Sequence, residues 1–194
     1  MARIADPEKM ENIKRAVMEC VIEYGYAGVS TALICEKAGV SPGYLYRYYN
    51  SKEELIRELV DVEMFTISKN FIADIDSSST MYEAAYKTIR KLFLRANEDP
   101  LAAKFAVSVV MDLRIPAPGK IDNFKYAFEL AEKCIELGAK TGETNSYLTP
   151  LEVLAVSFTI PFRYLSFSLE LEKNKKFTEE EMQKVAKVCI KALS

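Results

Sequence analysis

Apolar residues recur with the helical period along this chain. Ile13, Val17, Cys20, Val21 and Tyr24 are spaced four, three, one and three apart, which puts them on one helix face. Asp6-Pro7 opens that helix as cap and first-turn proline, and Gly25 with Gly28 closes it. The segment "TALICEKA" is a second, short helix, capped by Ser30 and stopped at Gly39. Ser41-Pro42 repeats the cap-and-proline start for a third helix to about Tyr49. Ser51 with Glu54 forms a capping box for a long fourth helix, residues 52–75.

The same punctuation continues. Thr80 with Glu83 starts a helix to about Ala96, and Asp99-Pro100 starts one to about Met111. "RIPAPG", residues 114–119, is the clearest break, followed by a helix over 120–138 and the polar loop "TGETNSY". Thr149, Pro150 and Glu152 combine cap, first-turn proline and capping-box acid. That helix should reach about Glu172, with a kink at Pro161. Thr178 and Glu181 box the last, which ends near Leu193. No segment alternates with the strand period, so the expected fold is all-α with about nine helices.

Residues 30–49 read as helix, "GVS" turn, helix, the helix-turn-helix arrangement whose second helix enters a DNA major groove. Gly39 supplies the positive φ of the turn, Val40 plugs the corner, and Ser41 caps a helix whose free amides favour phosphate. "GYLYRYY" then sets Tyr44, Tyr46, Tyr48, Tyr49 and Arg47 on barely two turns, too many rings for one buried stripe. At helical spacing Leu45 and Tyr49 pack inward against Val17, Val21 and Ile34. Tyr44, Arg47 and Tyr48 then point outward, with Tyr46 at the flank.

The run from Gly25 to Leu55 resembles the N-terminal signature of the tetracycline-repressor (TetR) family of transcriptional regulators. It matches at Ser30-Thr31, Ile34, Ala38-Gly39-Val40-Ser41, Gly43, Leu45-Tyr46, Ser51-Lys52-Glu53 and Leu55. Spacing agrees without gaps over about residues 10–56. Tyr48-Tyr49 stand where the family usually has His-Phe, and Cys35 where it often has alanine. The resemblance implies a DNA-binding unit over 1–52 and a helical effector-binding and dimerisation unit over 53–194. It also implies phosphate contacts from Thr31, Tyr46, Tyr48 and Lys52, and a groove-facing set of Pro42, Gly43, Tyr44 and Arg47. Arg47 is the candidate for a bidentate guanine contact. A homodimer through the last two helices, a double-stranded operator, and release by a small-molecule effector follow from the same likeness.

Composition narrows the alternatives. The formal net charge is -2, and residues 1–52 carry seven Lys/Arg against six Asp/Glu, so any phosphate contact comes from an oriented face rather than bulk charge. There is no histidine, which removes the commonest general base and metal ligand together. No nucleophile elbow, phosphate loop or metal-ligand spacing is present, so no catalytic residue, metal or cofactor is expected and an enzyme is disfavoured. Cys20, Cys35, Cys134 and Cys189 are scattered and read as buried reduced thiols. With no secretion signal and no run of roughly 20 apolar residues, a cytoplasmic protein that does not enter the membrane is expected.

Beyond residue 53, the apolar positions are first of all core and dimer interface, as in the stripe Leu151, Leu154, Phe158, Phe162, Leu165 and Leu169. Phe65, Phe93, Phe105, Val109, Tyr126 and Phe158 are candidate lining residues of an effector pocket. Arg163 is a candidate for a ligand carboxylate, though an internal acid or the dimer interface suits it better. The alternative is a DNA-binding helical protein without an effector, because a packed core and a lined cavity share one composition.

Overall fold

The computed structural model describes residues 6–111 and 120–194, with side chains described over 6–111 and 127–194. Among the described residues all regular structure is helical, in the order α1 (Pro7–Gly28), α2 (Thr31–Ala38), α3 (Pro42–Leu45), α4 (Lys52–Asp76), α5 (Met81–Glu98), α6 (Pro100–Met111), α7 (Lys120–Thr141), α8 (Pro150–Leu171) and α9 (Glu179–Leu193). The break expected over 114–119 lies outside the described residues, as does the side chain of Tyr126. No described helix is long and apolar enough to cross a membrane.

The caps explain most boundaries. Asp6 accepts from the Glu8 and Lys9 amides, Ser30 from Leu33, Ser41 from Tyr44 and Ser51 from Glu54. The capping boxes at 51 and 80 differ from expectation in their return arm. Glu54 and Glu83 reach back one residue further, to the amides of Asn50 and Ser79 at 2.7 and 2.8 Å. Thr178 and Glu181 close a reciprocal box. One boundary departs from the sequence reading. Gly25 leaves helical geometry at φ 66°, but the chain resumes helix to Gly28. α8 runs from Pro150 to Leu171 with the buried Pro161 inside it and Glu172 as its C-cap, as expected.

Three hydrophobic clusters divide the interior. The first joins α1, α2, α3 and the start of α4 with Phe105 and Val109 of α6. The second gathers Ile67 of α4 with α5, α6, α8 and α9. The third holds Ile75 of α4, the start of α5, α7, the start of α8 and the end of α9. α4, roughly 37 Å long at the helical rise, is therefore packed into all three.

Candidate nucleic-acid interface and effector crevice

α2 and α3 meet at a corner made by Gly39, whose left-handed backbone (φ 65°, ψ 32°) only glycine adopts without strain. Gly39 and Val40 donate back to the Glu36 and Cys35 carbonyls at 3.3 and 3.0 Å, ending α2. The Ser41 hydroxyl then accepts from the Tyr44 amide at 3.2 Å, starting α3. Leu45 and Tyr49 are buried in the first cluster with Val17, Val21 and Ile34, as their spacing predicts. Tyr49 keeps a partner for its hydroxyl, Glu58 Oε1 at 3.4 Å, and burial pushes its phenol up from the ordinary value.

The third helix is shorter than the sequence suggests. Regular helix stops at Leu45, and the chain continues to Tyr49 through turns that mix three- and four-residue hydrogen bonds. The tyrosines also divide differently. Tyr46 is 54% exposed, and Arg47 is exposed beside it. Tyr44 and Tyr48 are half-buried against the first cluster, their rings 5.3 Å apart. The Tyr44 hydroxyl accepts from the Asp6 amide at 3.2 Å, and Lys9 and Arg47 lie over its ring at 5.4 and 5.8 Å. Tyr44 thus anchors the start of α1 and orients Arg47, rather than standing free, and Tyr46 takes the outward place.

Thr31 is half-buried at the start of α2, and Ser41, Pro42 and Gly43 are exposed. A Cβ built on Gly43 would meet nothing within 4 Å, and its backbone angle does not require glycine. The Lys52 ammonium donates to the Val29 carbonyl at 2.6 Å, so one of its three donors ties α4 to the α1–α2 junction. Lys9, beside Tyr44, was not singled out by sequence; its place in the first turn of α1 gives no local signal.

The body holds two adjoining spaces. One, of about 40 Å³, is bounded by Phe71, Ile75, Ile89, Leu92 and Phe162, with Ala84, Ala85, Ser157, Cys134 and Cys189 among its walls. Burial pushes both of those thiols up to about 12, so they remain protonated. The other, of about 70 Å³, shares Phe71, Thr88, Leu92 and Phe162 with the first and adds Asn70, Asp74, Lys91 and Arg95.

None of the described lining candidates faces these spaces. Phe65 is 63% exposed, with Lys69 over its ring. Phe105 and Val109 belong to the first cluster, and Phe93 is fully packed in the second. Phe158 stacks with Phe71 and Phe162 outside the cavity wall. Arg163 lies on the outer face of α8, its guanidinium 5.6 Å from the Phe167 ring. The physical reason is that helix crossings decide which aromatics face a gap. Phe71 and Phe162 do, opposite the small residues Ala84, Ala85 and Ser157, whereas Phe93 and Phe105 are packed on all sides. Small residues at helical spacing, Ala84, Ala85 and Thr88, were the signal for the cavity. Acids inside apolar runs, Glu63 and Asp74, were the signal for the crevice beside it.

A larger groove of about 380 Å³ runs between α1, α2 and α6, open to solvent and rimmed by Glu19, Glu23, Lys37 and Lys104. It carries a charged rim and no buried polar group.

Comparison with known proteins adds the following. The sequence profile of one family, "Bacterial regulatory proteins, tetR family", matches residues 13–59. An uncharacterized HTH-type transcriptional regulator of Mycobacterium tuberculosis is 29% identical over 99 residues, 47% of this chain and 50% of that protein. The fatty acid metabolism regulator protein of Bacillus subtilis is 32% identical over 97 residues, half of each chain. These matches span about half the length of the curated relatives. Two solved structures share the fold over nearly the whole chain. FadR from Bacillus subtilis, in complex with stearoyl-CoA, has a TM-score of 0.69 at 19% identity, covering 95% of this chain and 100% of that one. AibR, in complex with isovaleryl coenzyme A and operator DNA, has a TM-score of 0.70 at 13% identity, covering 95% and 97%.

Proposed function

We propose that the chain, whose residues 13–59 match the tetR family of bacterial regulatory proteins, is a transcriptional repressor of that family, not an enzyme, that binds a palindromic operator as a homodimer and is released by a small amphipathic effector. Residues 1–52 read the DNA, and residues 53–194 bind the effector and form the dimer. As a reader of DNA it acts in the cytoplasm.

Gly43 is the observation that carries the DNA reading. A glycine in a helix costs about 0.5–1 kcal/mol relative to alanine, yet nothing in this chain occupies the space a side chain would take. The missing side chain makes room for something outside the fold. It is flanked by Tyr46 and Arg47, exposed, and by Pro42 at the same surface. Arg47, held over the Tyr44 ring, is the base reader; Thr31, Ser41, Tyr46, Tyr48 and Lys52 hold the backbone.

The dimer reading rests on the outer face of α8. Leu151, Ala155, Thr159, Arg163, Phe167 and Leu171 recur every four residues, and Leu171 is 84% exposed. Leu151, Phe167 and Leu171, with Val188 of α9, leave exposed apolar surface that a second copy would cover, setting two heads for two half-sites.

The effector reading is supported by the cavity, its polar crevice, and the acyl-coenzyme A bound by the two structural relatives. An acyl-coenzyme A is the effector class we favour. The space of about 40 Å³ is far below the roughly 300 Å³ of an ordinary ligand site. Binding therefore requires α4, α5 and α8 to part. Because α4 also packs in the first cluster, parting them re-aims the DNA-reading unit, and the ligand shifts the balance by its preference for the parted state. The same small volume favours the second reading, a DNA-binding helical protein without an effector.

Selection of duplexes from a random pool by the purified protein tests both parts. Enrichment of an inverted repeat, released on adding acyl-coenzyme A, is the expected result. Enrichment without release by any acyl chain length selects the second reading, and no enrichment rejects the DNA reading.

A further inference from the structure

Two acids of α4 are buried under two cations of α5. Arg95 meets Glu63 bidentately at 2.5 and 2.9 Å. Lys91 meets Asp74 Oδ1, while the Thr88 hydroxyl donates to Asp74 Oδ2 at 3.1 Å. The acid side chains are 8% and 4% exposed, and their cations 34% and 53%. Charge here is layered, negative beneath and positive outward.

Stability alone does not account for the arrangement, since apolar residues of the same volume serve a core as well as buried ion pairs do. What distinguishes these pairs is their place. Asp74, Lys91 and Arg95 line the polar crevice, which shares Phe71, Leu92 and Phe162 with the apolar cavity behind it. A molecule entering between α4 and α5 passes Lys91 and Arg95, with Asn70 and the Asp74 carboxylate that Lys91 already pairs, and then meets apolar and small side chains. Neither cation is exhausted by its acid, because an ammonium has three donors and a guanidinium five.

We propose that this α4–α5 crevice is an anion-binding subsite for the head of a single-chain amphiphile whose tail enters the cavity. Lys91 and Arg95 bind the head, and Asp74 and Glu63 hold those cations in position. This rests on the effector reading above and deepens it. A carboxylate and a phosphate share the required chemistry, two or more acceptor oxygens for charged donors. A neutral head of the same length lacks it.

The test is calorimetric titration of the full chain with dodecyl phosphate, dodecanoate and dodecanol. The anionic probes should bind at least about tenfold more tightly than the alcohol, the worth of one charge-assisted hydrogen bond. Arg95→Gln alone strands a buried carboxylate, so it is made together with Glu63→Gln. That double variant and the matching one, Lys91→Gln made together with Asp74→Asn, should each weaken the anionic probes about tenfold and leave dodecanol unchanged. Glu63→Gln alone should keep or raise anion affinity, because it frees the Arg95 charge. Preference for phosphate over carboxylate, or the reverse, identifies the head. If all three probes bind equally, or the variants weaken dodecanol as much as the anions, the subsite is overturned while the effector reading stands. If none of the three binds, the subsite is overturned, while the effector reading is decided by the acyl-coenzyme A release assay above.

Discussion

Leu55, Ile56 and Val60 at the start of α4 enter an interior built from aliphatic and aromatic groups, with no buried charge among its described members. Glu63, Asp74 and the facing Thr88, further along, lie in a body that keeps carboxylates, a hydroxyl and unfilled space inside. The DNA-reading end is packed solid and carries its polar chemistry on the outside. The body carries part of its polar chemistry within. A rigid support suits the surface proposed to present Tyr46 and Arg47 to DNA, because well-packed cores deform little. A body with internal charge and small spaces suits a part that changes state, because opening it rehydrates groups that already favour water.

Four substitutions sharpen that contrast, beginning with the largest effect. Leu45→Ala removes a fully buried side chain from the solid end, and should lower unfolding free energy by about 3 kcal/mol and abolish specific operator binding. Urea unfolding read by circular dichroism measures it; a loss below about 1 kcal/mol would mean that the reading unit is as loose as the body. Gly43→Ala should act on function alone. Stability stays level or rises by about 0.5 kcal/mol, while operator affinity falls about tenfold. Equal operator affinity in a fluorescence-polarisation titration would remove the close-approach role of Gly43. Ala85→Val fills part of the cavity from α5 and should stabilise by up to about 1 kcal/mol while blunting release by the effector. Destabilisation would show that the space is too tight to fill.

The smallest effect lies at the bridge between the two regions. Arg15 of α1 donates to Asp99, at the end of α5, at 2.7 Å. That hydrogen bond, the largest contribution, holds the Asp99 carboxyl below its ordinary value. A depressed folded value means the pair contributes fully above the unfolded pKa, near 4, and is lost as pH falls through the folded value. Arg15→Ala should therefore cost little at neutral pH, because both groups are partly exposed, and should flatten the loss of stability on acidification below about pH 4. Parallel pH profiles for the two proteins would remove the pair from the bridge.

The helices, their caps and the reading motif were legible in the sequence because each depends on neighbours within about four residues. Asp6, Ser30, Gly39, Ser41 and Thr178 act locally, and each does in the fold what its position predicts. Period alone likewise placed Leu45 and Tyr49 inside. The tertiary structure decided the rest. It tied Tyr44 to Asp6 across 38 residues, turned Lys52 onto Val29, and put Phe65 and Arg163 outside. It also brought Glu63 and Asp74 beneath Arg95 and Lys91, and left space where Phe71 and Phe162 face Ala84 and Ala85 across the helices. A helical pattern fixes which face of one helix is apolar. Which residue on that face meets a neighbour, and where facing side chains fail to fill the gap, depends on how two or three helices cross, and that information is not local to any of them.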